Sequence, residues 1–222
     1  MGGNICIGVL ALQGAFREHL DALERLQKLE NSEILGGLNL KTVEVRVKED
    51  LDLIDGLIIP GGESTSMTLI AEGLGLWTAI QMAVVESKIS VWGTCAGAIL
   101  LSSVIENQMN GGQDSFGLLQ VTIKRNAYGS QIASFCEELT LQDGVKFPGI
   151  FIRAPEIESF SSSYKVLARL ADSFEYPVCA LESSNIIITT FHPELTNNYH
   201  FHLKFIEKIR QLRKQRATSK TW

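Results

Sequence analysis

Cysteine is scarce in this chain and never paired: Cys6, Cys95, Cys136 and Cys179 stand far apart, with no Cys-x-x-Cys among them. That spacing argues against a disulfide framework and a cysteine-rich zinc module. Cys6 and Cys179 fall in apolar, strand-like runs and read as reduced core thiols. Histidine is scarce too, and no His/Cys spacing suits zinc. His200 and His202 open the last helix two residues apart, so they do not share a helical face; no metal and no cofactor is expected. Nothing approaches the roughly 18–20 apolar residues of a membrane span. The start, Met1 to Cys6, lacks the basic segment and apolar core of a secretory signal, and it lacks the hydroxyl residue at position 6 of a myristoylation site. A net charge of −5 withholds the basic footprint of a nucleic-acid binder. Basic residues collect only between Lys204 and Lys220, on what reads as a solvated face of the last helix. Internal repeats and linkers rich in proline, glycine or serine are also missing. The expectation is a single cytoplasmic domain over residues 1–222, with no nucleic-acid and no membrane partner and with 215–222 as a flexible basic tail. Its 45% hydrophobic and 20% charged residues are those of an ordinary globular protein.

What is present centres on Gly93-Thr94-Cys95-Ala96-Gly97. An apolar run from Ile89 reads as a buried strand, and Ala98 to Val104 reads as a helix. Between them lies Gly-x-Cys-x-Gly, the nucleophile-elbow pattern with sulfur in place of the serine oxygen. A turn this sharp leaves no room for a β-carbon on either side, hence the flanking glycines. The elbow lifts the thiol out of the sheet to a helix N-terminus, which favours a thiolate. On this pattern alone a buried core cysteine is an equally good reading.

Before the elbow, Ile5 to Leu12 is a near-continuous apolar run, the mark of a strand covered on both faces. A helix follows with Phe16, Leu20, Leu23 and Leu26 on one side. Asn31 to Leu40 reads as a surface loop, Thr42 to Val47 as a second strand and Leu57 to Ile59 as a third. Pro60-Gly61-Gly62-Glu63-Ser64-Thr65 ends that third strand, where open α/β sheets bind ligands; a plain tight turn is the simpler alternative. Ser64 or Thr65 is suited to cap the helix carrying Met67, Leu69 and Ile70, and a second helical stretch runs to Val85. After the elbow comes a loop, Asn110 to Asp114. Strand-like runs follow at Leu118–Lys124, Phe147–Arg153, Lys165–Leu170, Val178–Leu181 and Ile186–Phe191. The chain closes on a helix with Phe201, Phe205, Ile209 and Leu212. This order predicts a three-layer α/β fold: a mostly parallel twisted sheet, helices on both faces, and an antiparallel edge addition.

A thiol nucleophile needs a base, and the base needs an orienting acceptor. The strand ending at Phe191 runs straight into His192-Pro193-Glu194, placing an imidazole and a carboxylate at its tip. Pro193 stiffens the pair, and Glu194 is placed to accept from one ring nitrogen and leave the other for Cys95. A lone strand-end histidine is more often structural, but its company here is a possible nucleophile. His19, on the first helix, reads as structural.

Gly93-Thr94-Cys95-Ala96-Gly97 with His192-Pro193-Glu194 resembles the class I (triad) glutamine amidotransferases, whose fold is flavodoxin-like. More narrowly, the chain resembles the glutaminase family of pyridoxal 5′-phosphate synthases, PdxT/SNO, nearly end to end. The shared segments include Gly8 to Gly14, Pro60 to Thr65, Arg125-Asn126, Phe151 to Pro155 and Phe191 to Leu195. The resemblance implies hydrolysis of L-glutamine to L-glutamate and ammonia through a thioester on Cys95, with His192 moving protons and Glu194 orienting it. It implies an oxyanion hole from the Gly62 and Ala96 backbones. It implies glutamine binding by Gly62, Glu63, Ser64, Arg125, Ile152 and Arg153, where the arginine forks suit a carboxylate and the alternative is a surface ion pair. Gln13 matches a position at the partner interface that helps set up the oxyanion hole. The implied partner is a (β/α)₈-barrel synthase subunit, twelve of each in the complex, with the glutaminase nearly idle until docked. Ser130 departs from the arginine common in relatives, and the Asn31–Leu40 loop is longer than in bacterial ones. The alternative reading is a non-catalytic docking or regulatory subunit of the same complex, and a cysteine hydrolase acting on peptides or thioesters is a further rival. The intact Cys95, His192 and Glu194 argue against the first, and the glutamine-binding segments against the second.

Overall fold

The computed structural model describes residues 4–29, 37–107, 113–127 and 134–219. The expectations placed on residues 31–36, Asn110 to Gly112, Ser130 and residues 220–222 lie outside them. The described elements run β1 (Asn4–Leu10), α1 (Phe16–Lys28), β2 (Asn39–Val45), β3 (Gly56–Ile59), α2 (Ser64–Gly73), α3 (Leu76–Val85), β4 (Ser90–Thr94), α4 (Ala96–Leu101) and β5 (Ser102–Glu106). They continue β6 (Leu119–Lys124), β7 (Ser134–Leu141), β8 (Lys146–Ile152), β9 (Glu156–Phe160), β10 (Lys165–Arg169), β11 (Val178–Glu182), β12 (Ile186–Thr189) and α5 (His200–Ser219).

The main sheet has nine strands in the order β2-β1-β3-β4-β12-β11-β10-β7-β8. The pairings from β2 through β12 are parallel. Those from β12 to β8 are antiparallel. The antiparallel addition expected at the edge is therefore four strands wide against five in the parallel core. A separate three-stranded sheet, β5-β6-β9, takes the run at Leu119–Lys124 out of the main sheet altogether.

The apolar runs of the central strands divide between two cores because successive side chains point to opposite faces. Leu57 and Ile59, Val91, and Ile186 and Ile188 face the core covered by α2, α3 and α4. Ile58, Trp92 and Ile187 face the other, where Leu23 and Leu26 of α1 meet Phe201, Phe205 and Ile209 of α5. Each large side chain buried in this way contributes about 1.5–3 kcal/mol, so covering both faces is what holds the strands' carboxyl ends in register.

Several local expectations are corrected. The elbow helix stops at Leu101, and Ser102–Glu106 becomes β5. The Ser102 hydroxyl donates to the Ile99 carbonyl at 2.7 Å, giving a last-turn acceptor a side-chain partner where the helix ends. β2 begins at Asn39, inside the expected loop, because Leu38 and Leu40 are buried and the ladder with β1 runs from Asn4↔Asn39. β7 and β9 lack an apolar run, since they alternate exposed and covered residues. Residues 215–219 continue α5 and do not start a tail. Arg216 donates to the Lys88 carbonyl at 2.8 Å and Thr218 to that of Lys214 at 2.7 Å. No single described helix is long and apolar enough to cross a membrane.

Candidate active site

The carboxyl ends of β1, β3, β4 and β12 carry Gln13, Gly61 to Glu63, Cys95 and His192. Parallel strands put all of their carboxyl ends on one side, and side chains far apart in sequence meet there.

Cys95 follows β4 with φ 48° and ψ −103°. A non-glycine residue held in such backbone costs about 1–3 kcal/mol and persists only where its surroundings enforce it. The enforcement is visible. Cys95 N donates to the Thr189 carbonyl at 2.8 Å, and Gly97 packs so close to β3 that a β-carbon there would strike the Ile59 carbonyl oxygen. A β-carbon on Gly93 would in turn meet the Gly97 backbone. Cys95 is only 6% exposed, and its thiol lies 3.8 Å from the Ile152 carbonyl at the end of β8.

His192 leaves β12 with its N–H on the Ile150 carbonyl, 2.9 Å away. A short turn over Pro193–Leu195 folds the Glu194 carboxylate back, so that Nδ1 donates to Oε1 at 2.7 Å. Cys95 stands beside the ring. A β-carbon on Gly61 would run into the His192 ring and crowd the Cys95 β-carbon, so a glycine here leaves room for both side chains. Burial disfavours the His192 cation, but hydrogen bonds and charge from Cys95 and Glu194 outweigh it and push the pKa up to about 10. For Glu194, burial raises the pKa, while the His19 and His192 rings more than reverse this and hold it below the ordinary carboxylate value.

The loop after β3 is tied at two points. The Gly61 carbonyl accepts from Ala15 N at 2.9 Å, and Glu63 N donates to Gln13 Oε1 at 2.9 Å. Because the peptide is trans, the first tie turns the Gly62 N–H away from Ala15. Ala96 opens α4, and its N–H lies in a first turn that offers no intrahelical partner.

Glu63, not Ser64 or Thr65, caps α2: its carboxylate accepts from Thr65 N at 3.2 Å and Ser66 N at 2.7 Å. The carboxylate offers two oxygens to the two orphan amides, which a single hydroxyl could not match. Arg125 reaches the same carboxylate at 3.3 Å and Gln113 Oε1 at 2.7 Å. The Ser64 hydroxyl donates to that Gln113 oxygen at 2.8 Å and Thr65 at 3.0 Å. Glu63, Ser64 and Arg125 are thus one hydrogen-bonded group. Arg153 follows β8 in positive-φ backbone at 44°, is exposed, and makes no ion pair among the described residues.

Two participants are invisible in the motifs. Gln113 lies in a loop of ordinary composition. His19, read as structural, is fully buried with Nε2 3.4 Å from Glu194 Oε2 and 3.2 Å from Thr94 Oγ1. A polar ring on the buried side of α1 was the one sequence signal available for it.

The SNO glutamine amidotransferase family matches residues 9–211. A pyridoxal 5′-phosphate synthase subunit PdxT from Dehalococcoides mccartyi is 39% identical over 203 residues, 90% of this chain and 95% of the relative. The subunit of the same name from Chloroflexus aurantiacus is 40% identical over 203 residues, 90% of this chain and 98% of its own. A crystal structure of a glutamine amidotransferase superposes with a TM-score of 0.78 at 38% identity, covering 91% of this chain and 98% of that one.

Proposed function

This chain belongs to the SNO glutamine amidotransferase family, and we propose that Cys95, His192 and Glu194 are the catalytic triad of a glutaminase that serves a pyridoxal 5′-phosphate synthase. It acts on L-glutamine and is one subunit of that synthase. The observation carrying the triad is the buried His192–Glu194 contact at 2.7 Å beside a thiol in enforced elbow backbone.

Cys95 sulfur attacks the side-chain amide carbon of glutamine. The carbonyl oxygen takes up negative charge, and the Gly62 and Ala96 N–H groups stabilise it. The C–N bond then breaks, and His192 gives its proton to the departing ammonia, leaving a thioester. Water adds to the thioester with His192 taking its proton. The intermediate collapses to glutamate, and the sulfur leaves with its bonding pair. Throughout, Glu194 holds Nδ1–H and so keeps Nε2 directed at the sulfur. Arg125 and Arg153 supply forks for the substrate α-carboxylate, with Glu63, Ser64 and the Ile152 backbone completing the binding surface. Gln13 ties the oxyanion loop at the face that meets the synthase.

The ammonia goes to a (β/α)₈-barrel synthase subunit, twelve glutaminases on twelve synthases, in the cytoplasm. Residues 1–222 act as one domain. Glutamate release from glutamine, measured with and without the synthase subunit, tests the reading. Activity raised by the partner and lost in Cys95→Ala supports it, while activity that survives Cys95→Ala refutes the triad.

A further inference from the structure

His19 is a polar ring at zero exposure near the start of α1, and the other buried residues of that helix are Ala22, Leu23 and Leu26. Burying a polar group is costly unless it is used. Its Nε2 stands between two oxygens, Thr94 Oγ1 at 3.2 Å and Glu194 Oε2 at 3.4 Å. Thr94 immediately precedes Cys95, and Glu194 orients His192. One atom of α1 therefore reaches both arms of the reactive pair.

Glu194 needs such a partner. Oε1 takes Nδ1–H of His192, whereas Oε2 is buried and makes no well-directed hydrogen bond among the described residues. The terminal torsion of a glutamate is soft, so a carboxylate held at one oxygen can rock about that contact. A donor at the second oxygen fixes its plane. A lone pair on Nε2 would face the carboxylate and be repelled, so the proton belongs on that nitrogen. Burial keeps the ring neutral, below the ordinary histidine value. Trp92, edge-on at 5.4 Å, and His202 at 5.7 Å hold the ring in place.

We propose that His19 is a positioning residue of this site, its Nε2 hydrogen-bonded to the Thr94 hydroxyl and set 3.4 Å from Glu194 Oε2, so that the carboxylate orienting His192 is kept from turning. This rests on the triad reading above and extends it by one residue. The competing role is packing alone.

The test compares His19→Phe, His19→Gln and His19→Asn with the unaltered chain and Cys95→Ser, each assayed for glutaminase activity with the synthase subunit present. Glutamine places a donor near the Nε2 position, and asparagine places one nearer Nδ1. Losing the polar contact that steadies the charged Glu194 predicts a kcat about 10- to 100-fold lower in His19→Phe, with KM little changed. His19→Gln recovers most of that loss and His19→Asn does not. Unchanged kcat in His19→Phe overturns the proposal, as do equal rates in the Gln and Asn variants. If His19→Phe does not fold, the ranking of Gln over Asn decides alone. Activity retained in Cys95→Ser would refute the triad reading itself, an outcome distinct from the other three.

Discussion

Gln13 Oε1 accepts the amide hydrogen of Glu63 at 2.9 Å, joining the segment after β1 to the loop after β3. The contact ties down the loop that carries the Gly62 N–H from a residue outside that loop.

Gln13→Ala should release this tie while leaving the fold intact. With the synthase subunit present, we expect kcat to drop about tenfold, the order expected for a misplaced oxyanion donor or a lost buried hydrogen bond. Steady-state kinetics check this, and an unchanged kcat would show that the loop holds itself.

Cys95→Ser should abolish glutaminase activity while ammonium-driven synthesis by the complex continues. Cys95→Gly should do the same and also raise thermal stability, because glycine relieves the positive-φ strain, by up to about 1–3 kcal/mol before the loss of thiol packing. A melting temperature lower than that of Cys95→Ser would contradict stored strain at the elbow.

His192 should remain protonated well above neutrality. Its pKa is raised to about 10 from an ordinary 6.5, so the stability it lends is whole below about 6.5 and drains away as pH rises through about 10. NMR of labelled histidine reads the titration directly. In Cys95→Ala the midpoint should fall toward the ordinary value, and an unmoved midpoint would mean that the thiol does not hold the proton.

Arg125→Lys keeps the charge but loses the planar fork that reaches Glu63 and Gln113. We expect KM for glutamine to rise about tenfold with kcat nearly unchanged, the pattern of lost uniform binding. A fall in kcat at constant KM would move Arg125 from substrate binding to the chemistry.

Gly97→Ala should destabilise the fold by about 1–3 kcal/mol, since the new methyl meets the Ile59 carbonyl of a strand packed on both faces. Denaturant unfolding measures it, and a neutral result would mean that α4 can back away from β3.

What the sequence determined by itself was whatever is written in neighbouring residues. The apolar runs of β1, β3, β4 and β12 announce strands covered on both faces, because a buried strand has no polar side to show. Gly93 to Gly97 and His192 to Glu194 are legible because an elbow and a stiffened His-Pro-Glu need particular residues at fixed spacing. β7 and β9 were not legible, since half-exposed strands of mixed composition carry no continuous apolar run. The tertiary structure decided what depends on distant segments meeting. It gave the Glu63 carboxylate, not a neighbouring hydroxyl, the cap of α2, and it gathered Ser64, Thr65 and Arg125 on Gln113. It also turned His19 from a helix residue of no evident use into the neighbour of Glu194, 175 positions away in the chain. The physical reason is that a parallel sheet gathers its strand ends at one edge, while α1, packed across the face, inserts a side chain whose chemistry is set by what lies opposite.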